Sequence, residues 1–206
     1  DGIAECAQVC IYVRGEKVVD LWGAREDNSA PGQPMHQYGP DGLQNIFSSS
    51  KVLTSLVIAM LVDRGHLRYD QLVCELWPGY AAHGKGDTTV AQVMRHEAGL
   101  PAFDQPLDAL DLTAARIREG SVSQLIASQT PHHEPGEHRR YHAMTRGWIA
   151  NEIVRRADPQ GRTIGEFVQD EIAAPLGFRD EVFIGVPDEM HGRVAPLASH
   201  GRGWTL

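Results

Sequence analysis

The sequence predicts an α+β domain, an N-terminal β-hairpin followed by a mostly helical body, and three observations carry that prediction. Ala7 to Val13 and Lys17 to Trp22 are short runs rich in Val, Ile, Tyr and Trp on either side of Arg14-Gly15-Glu16. Strand-forming residues around a short turn signal a hairpin. Further along, Val52, Leu53, Leu56, Val57, Met60 and Leu61 recur at helical spacing, and helix punctuation dominates from there on. Finally, the 206 residues are 42% hydrophobic and 22% charged, which suits one globular domain and excludes a disordered chain, a collagen or a coiled coil.

In order along the chain, the hairpin is followed by a loop over 26–42, where Pro31, Pro34 and Pro40 lie among glycines. A helix opens near Ser48 or Ser49 and stops at Gly65. Asp87-Thr88-Thr89 opens a second helical run through Val90, Val93 and Met94, with Gly99 and Pro101 as its stop. Ser121 opens a segment that ends before Pro131. Met144 to Ala157 is amphipathic, with Trp148, Ile149, Ile153 and Val154 on one stripe. Thr163-x-x-Glu166 is a capping box whose helix is expected to end before Pro175. Glu181 to Val186 reads as a short strand. Two strands make a poor sheet by themselves, so further strands are expected to pair with the hairpin. No linker divides the chain, and residues 1–206 read as a single incomplete domain: a sheet hairpin over 1–25 and a helical region over 43–180.

Charge and composition narrow the function. With 19 basic and 27 acidic side chains the net charge is -8, which repels a phosphate backbone at long range and argues against nucleic-acid partners. The longest apolar run, Leu56 to Val62, is too short to span a bilayer. Cys6 and Cys10 lie four apart on one strand, about 13 Å from each other, too far for a disulfide. With Cys74 they read as reduced thiols, which favours a cytoplasmic setting; no signal-peptide pattern is seen, but the chain starts at Asp1 without Met, so localisation stays open. No feature specifies an oligomeric state.

Ser48-Ser49-Ser50-Lys51 has the form S-x-x-K at a helix start. Residues i and i+3 share a helical face, so Lys51 can reach the Ser48 hydroxyl. Serine is a weak nucleophile until a base takes its proton, and a helix N-terminus offers free N–H groups to a developing oxyanion. The same letters also fit a serine-rich cap followed by a surface lysine. Tyr141, at the entry to the 144–157 helix, fits either a packed aromatic with its hydroxyl satisfied or a proton shuttle beside Ser48 and Lys51. His132, His133, His138 and His142 crowd one stretch with Glu134 and Glu137, and His138 and His142 could share a metal on a helix. Pro135-Gly136 interrupts that stretch, and His96-Glu97 lacks the second histidine of H-E-x-x-H. No P-loop, G-x-G-x-x-G, C-x-x-C or G-x-S-x-G occurs.

Taken together and in order, these segments resemble the serine β-lactamase and penicillin-binding-protein superfamily, in particular its carboxylesterase family VIII and class C β-lactamase-related branch. The resemblance runs through Val18-Val19-Asp20-Leu21-Trp22-Gly23-Ala24, Phe47-Ser48-Ser49-Ser50-Lys51, Leu61-Val62-Asp63-Arg64-Gly65 and Glu75-Leu76-Trp77-Pro78. It continues through Arg95-His96-Glu97-Ala98-Gly99-Leu100-Pro101, Glu134-Pro135-Gly136, Tyr141-His142-Ala143-Met144-Thr145 and Ala174-Pro175-Leu176-Gly177. It implies a β-lactamase/transpeptidase-like fold and a serine hydrolase. Ser48 would form an acyl-enzyme, Lys51 and Tyr141 would share the proton transfers, and His142 and Ala143 would line the substrate. Neither a metal nor an organic cofactor is implied.

Two departures refine this. The lactamase form of the second motif is Y-x-N, and here Ala143 stands at the asparagine position, which favours small esters over β-lactams. The third motif, a K-T-G-like or H-x-G-like strand, is missing; Ser199-His200-Gly201 comes too early and in the wrong order. The chain therefore resembles the first half of the family domain, with the C-terminal strands missing. It is expected to be weakly active or inactive as it stands, with apolar surface exposed where the sheet would continue. Two further readings stay open: a non-catalytic relative that binds or assembles, and a metal-binding protein using the histidine cluster.

Overall fold

The structure is a computed structural model that describes residues 6–24, 38–195 and 197. It divides into two compact units, Phe47–Arg179 on one hand and Asp1–Ile46 with Asp180–Leu206 on the other.

The larger unit is helical. Its first helix, α1 (Lys51–Asp63), follows a 3-10 turn at Phe47–Ser50. Thr54, Val57, Ile58 and Leu61 are its buried face, the i, i+3, i+4, i+7 stripe that an inward-facing helix needs. Gly65, at φ +74, ends it, with its N–H on Val62 O; a left-handed residue just past a helix end is best supplied by glycine. Then come α2 (Val73–Leu76), α3 (Val90–Met94), α4 (Ala114–Glu119) and α5 (Ser121–Ser128). Central to the unit is α6 (Thr145–Ala157), which packs on α1, α3 and α5 through Ile149, Ala150, Ile153 and Val154, all fully buried. Ile149, Ile153 and Val154 each contribute about 1.5–3 kcal/mol by leaving water. The unit closes with α7 (Ile164–Val168), a π-turn over Gln169–Ala173 and α8 (Ala174–Leu176).

Two boundaries differ from expectation here. The Thr163/Glu166 capping box is present, but the helix does not stop before Pro175. The helical backbone instead runs on through the π-turn into α8, which contains Pro175. The chain turns at Gly177 instead, at φ +79. Similarly, α3 ends at Met94, well before Gly99, because His96 itself takes the left-handed conformation at φ +65.

The smaller unit holds β1 (Cys6–Val13) and β2 (Glu16–Ala24), an antiparallel hairpin with a bulge between Ile11 and Tyr12. Arg14 and Gly15 make its turn, both at positive φ. Val9, Ile11, Val13, Val18, Leu21 and Trp22 are all exposed, and among the described residues no third strand pairs with the hairpin. Gln8 Nε2 donates to Gly42 O at 3.1 Å. Residues 181–186 are not a strand: Gly185 sits at φ +88, which breaks an extended run, and a 3-10 turn follows at Asp188–Arg193. One parallel bridge, Leu43 to Val194, is formed nearby. The expected loop over 26–42 is described only from Tyr38 on, as a turn, and Ser199-His200-Gly201 lies outside the described residues.

Cys10 is a free, exposed thiol; Cys74 is free and donates to Gly86 O. Among the described residues, no helix is long and apolar enough to cross a membrane.

Candidate active site

All the candidate catalytic side chains fall within the helical unit. Ser48 sits in the 3-10 turn at the mouth of α1, and the residue before it, Phe47, holds φ +46. A bulky residue in the left-handed region is strained, and such strain gathers where a functional group must be held in one place. Lys51, on the first turn of α1, donates from Nζ to Ser48 Oγ at 3.1 Å and to Ala143 O at 2.8 Å. Tyr141 is 93 residues from Ser48, yet its hydroxyl donates to Ser48 Oγ at 2.5 Å. Lys51 Nζ also stands 5.0 Å from the Tyr141 ring centroid. The hydrogen bond to Ser48 does most to hold the Tyr141 phenol below its usual pKa; the bond to Lys51 and the charges of Lys51 and Arg146 add to it. Tyr141 is 56% exposed, so it is not a packed core aromatic.

Tyr141 reaches Ser48 because residues 96–100 fasten the irregular stretch that carries it. Gly136 N donates to Glu97 O, His132 N to Gly99 O, and Arg140 N to His96 O. Thr145 Oγ1 donates to Leu100 O. Gly99 is required here: a Cβ on it would lie 2.4 Å from His133 O, and its φ is +77. His96 was not singled out by sequence reasoning beyond its motif. Its Nδ1 accepts the His142 N–H at 3.0 Å, and its ring lies 4.9 Å from that of Tyr141. Burial first, then the charges of Arg146, Lys51 and Arg139, hold its pKa down at about 4, so it is a neutral acceptor. A histidine at positive φ had no local sequence signal; glycine punctuation pointed to Gly99 instead.

His142, expected at the substrate, has a wholly buried ring. Its Nε2 accepts from Leu100 N at 3.0 Å and its Nδ1 donates to Arg140 O. Burial lowers its pKa, matching the neutral tautomer that these bonds require. Ala143 is exposed and meets Lys51 through its carbonyl; its methyl offers no hydrogen bond. The histidine stretch is not helical. His132 pairs with Asp104 at 2.7 Å, and the His133 and His138 rings stack edge to face. Among the described residues, no three metal-ligating side chains converge.

The amino group of Lys51 and the phenol of Tyr141 therefore meet at one hydroxyl oxygen, Ser48 Oγ, beside a helix start. That arrangement can move a proton off a hydroxyl and stabilise the anion that results.

A family model described as Beta-lactamase matches residues 2–205. A curated relative, "Esterase/beta-lactamase LipL" of Mycobacterium tuberculosis, is 32% identical over 181 residues, 87% of this chain and 39% of the relative. Among solved structures, a novel penicillin-binding protein homolog from Caulobacter crescentus superposes with TM-score 0.79 at 36% identity, over 96% of this chain and 50% of that one. A family VIII carboxylesterase superposes with TM-score 0.76 at 34% identity, over 88% of this chain and 47% of that one. The chain thus spans half or less of the length of these relatives.

Proposed function

The chain belongs to the Beta-lactamase family, and on that premise we propose that it carries the acylation machinery of a serine hydrolase acting on small carboxylic esters. The observation that carries this reading is the double contact on Ser48 Oγ, from Tyr141 at 2.5 Å and Lys51 at 3.1 Å. Lys51 donates in both of its contacts, and Tyr141 is assigned as the proton carrier. With Tyr141 ionised, the Ser48 O–H donates to the phenolate. Ser48 Oγ then attacks the ester carbonyl carbon while its proton passes to Tyr141. Collapse of the tetrahedral adduct breaks the carbonyl–alkoxy bond, and the departing alkoxide takes that proton from Tyr141. Water then attacks the acyl-serine by the same route, releasing the acid and restoring Ser48.

Esters are favoured over β-lactams because Ala143 has no side-chain group to hold an amide. Similarity to a family VIII carboxylesterase supports ester substrates, and similarity to an esterase/beta-lactamase supports hydrolase chemistry of either kind. His142 is assigned to hold Leu100 and Arg140 in place rather than to touch substrate.

A fluorophosphonate probe followed by intact-mass measurement tests this. One adduct on the parent and none on Ser48→Ala is the expected result, with p-nitrophenyl butyrate cleaved faster than nitrocefin. A parent that never labels would leave the second reading, a non-catalytic binding relative; nitrocefin turnover equal to or above that of the ester would defeat the ester preference.

A further inference from the structure

Arg146 is a cation where the fold gives it no return. It is 4% exposed and lies in the first turn of α6, where free N–H groups already present positive partial charge. Among the described residues no carboxylate lies within ion-pair distance of it. One terminal nitrogen donates to Ser55 Oγ at 2.9 Å and approaches Met94 Sδ at 3.8 Å; Nε has no partner. Elsewhere in the helical unit, Arg162 holds Asp158 and Glu171, and Arg155 and Arg156 both hold Glu152. An unpaired buried charge costs stability, so it calls for a partner that another state of the molecule supplies.

The surroundings narrow that partner to one. Ser55 Oγ, which receives the Arg146 bond, donates to Lys51 O one turn below the Lys51 ammonium. Towards the site, α1 contributes Lys51, the 96–100 segment contributes His96, and the stretch entering α6 contributes Arg139, Tyr141 and His142. Lys51 and Arg139 are cations, and the two histidines are held neutral. Glu97, the nearby carboxylate, is engaged by Arg95 at 2.8 Å and Arg139 at 3.5 Å. Among these neutral side chains Tyr141 is the most acidic, and the Arg146 charge adds to that acidity.

We propose that Arg146 is the buried counter-charge of the Tyr141 phenolate, a positioning residue that readies the proton carrier through its field without touching substrate. This rests on the assignment of Tyr141 as proton carrier. It also explains why the guanidinium is buried unpaired: its partner is the anion that exists when Ser48 is about to react.

The test compares the parent with Arg146→Met and Arg146→Lys, measuring the rate of Ser48 labelling across pH together with thermal melting. Arg146→Met is expected to shift the rise in labelling upward by about one pH unit, which is about 10-fold slower labelling at neutral pH, with the parent rate regained in alkali. It should melt no lower than the parent, since an apolar side chain replaces an unpaired charge. Arg146→Lys should keep the parent profile. An unshifted profile in Arg146→Met overturns the proposal, and so does uniform loss of labelling with a lower melting temperature. If Arg146→Met does not fold, Arg146→Gln decides by the same criteria. Ultraviolet difference titration of the tyrosines, with Tyr141→Phe identifying the first phenol to ionise, gives a readout independent of labelling. A parent that fails to label at Ser48 but whose Tyr141 titration moves upward in Arg146→Met would overturn the hydrolase reading and leave the charge pairing standing. An unmoved titration would overturn the pairing.

Discussion

The hairpin and the helical unit are built from similar residues and end in opposite states. In the hairpin, Val9, Ile11, Val13, Leu21 and Trp22 are exposed; in the helical unit, Val57, Ile58, Leu61, Ile149 and Ile153 are fully buried. The difference is one of periodicity. A strand sends alternate side chains to opposite faces, so two strands bury apolar groups only if other layers cover them. Helices with one apolar stripe can cover each other, as α1 and α6 do. The unit that satisfies itself is also the one that carries Ser48, Lys51 and Tyr141, so the site's geometry is supported from within that unit.

The largest test of that division concerns chemistry. Tyr141→Phe is expected to slow Ser48 labelling by about 10²–10⁴-fold, whereas Tyr12→Phe, on the exposed hairpin, should leave the rate unchanged. Similar losses from both would mean that the hairpin takes part in the site and would end the comparison. Packing comes next. Ile149→Ala removes a fully buried side chain of α6 and should cost about 2–5 kcal/mol. Val13→Ala should stay within about 0.5 kcal/mol. Denaturant unfolding of the two variants measures both.

The smallest test is electrostatic. Burial raises the Asp158 carboxyl, but the hydrogen bonds from Arg162 outweigh it and leave the pKa below its usual 3.8. A carboxyl whose pKa is lowered by folding stabilises the protein above its unfolded pKa and loses that contribution as pH falls through its folded value. Asp158→Asn should therefore lower stability by about 2 kcal/mol near neutrality, and the gap from the parent should close as the pH is brought down into the strongly acid range. Melting followed from neutral to acid pH shows this; a gap that persists in acid would assign the loss to packing. In the hairpin, Lys17 and Asp20 form an exposed pair, and Lys17→Ala should give no measurable change in the melting midpoint.

Much of this was legible in the letters. The hairpin, the Gly65 stop, the Thr163/Glu166 box and the 144–157 helix were all local signals. Strand runs around a tight turn, a glycine past a helix end and a threonine three residues from a glutamate each act through neighbouring backbone. The strand expected at 181–186 misled because Val182, Phe183 and Ile184 supply strand propensity, while Gly185, in the left-handed region, and the lack of a described partner strand decide against it. The helix end before Pro175 misled because the helical backbone runs on through the π-turn into α8.

At the site, the sequence by itself determined the pairing of Ser48 with Lys51, since i and i+3 on one helical start must face each other. It also determined that Ala143 brings no amide-binding group. Only the tertiary structure decided that Tyr141 meets Ser48, that His142 is buried structure and His96 the brace, and that Arg146 is enclosed without an acid. The physical reason is range. Helix and turn signals are read over a few residues, whereas burial, charge pairing and a hydroxyl contact between residues 93 apart depend on which segments the core brings together.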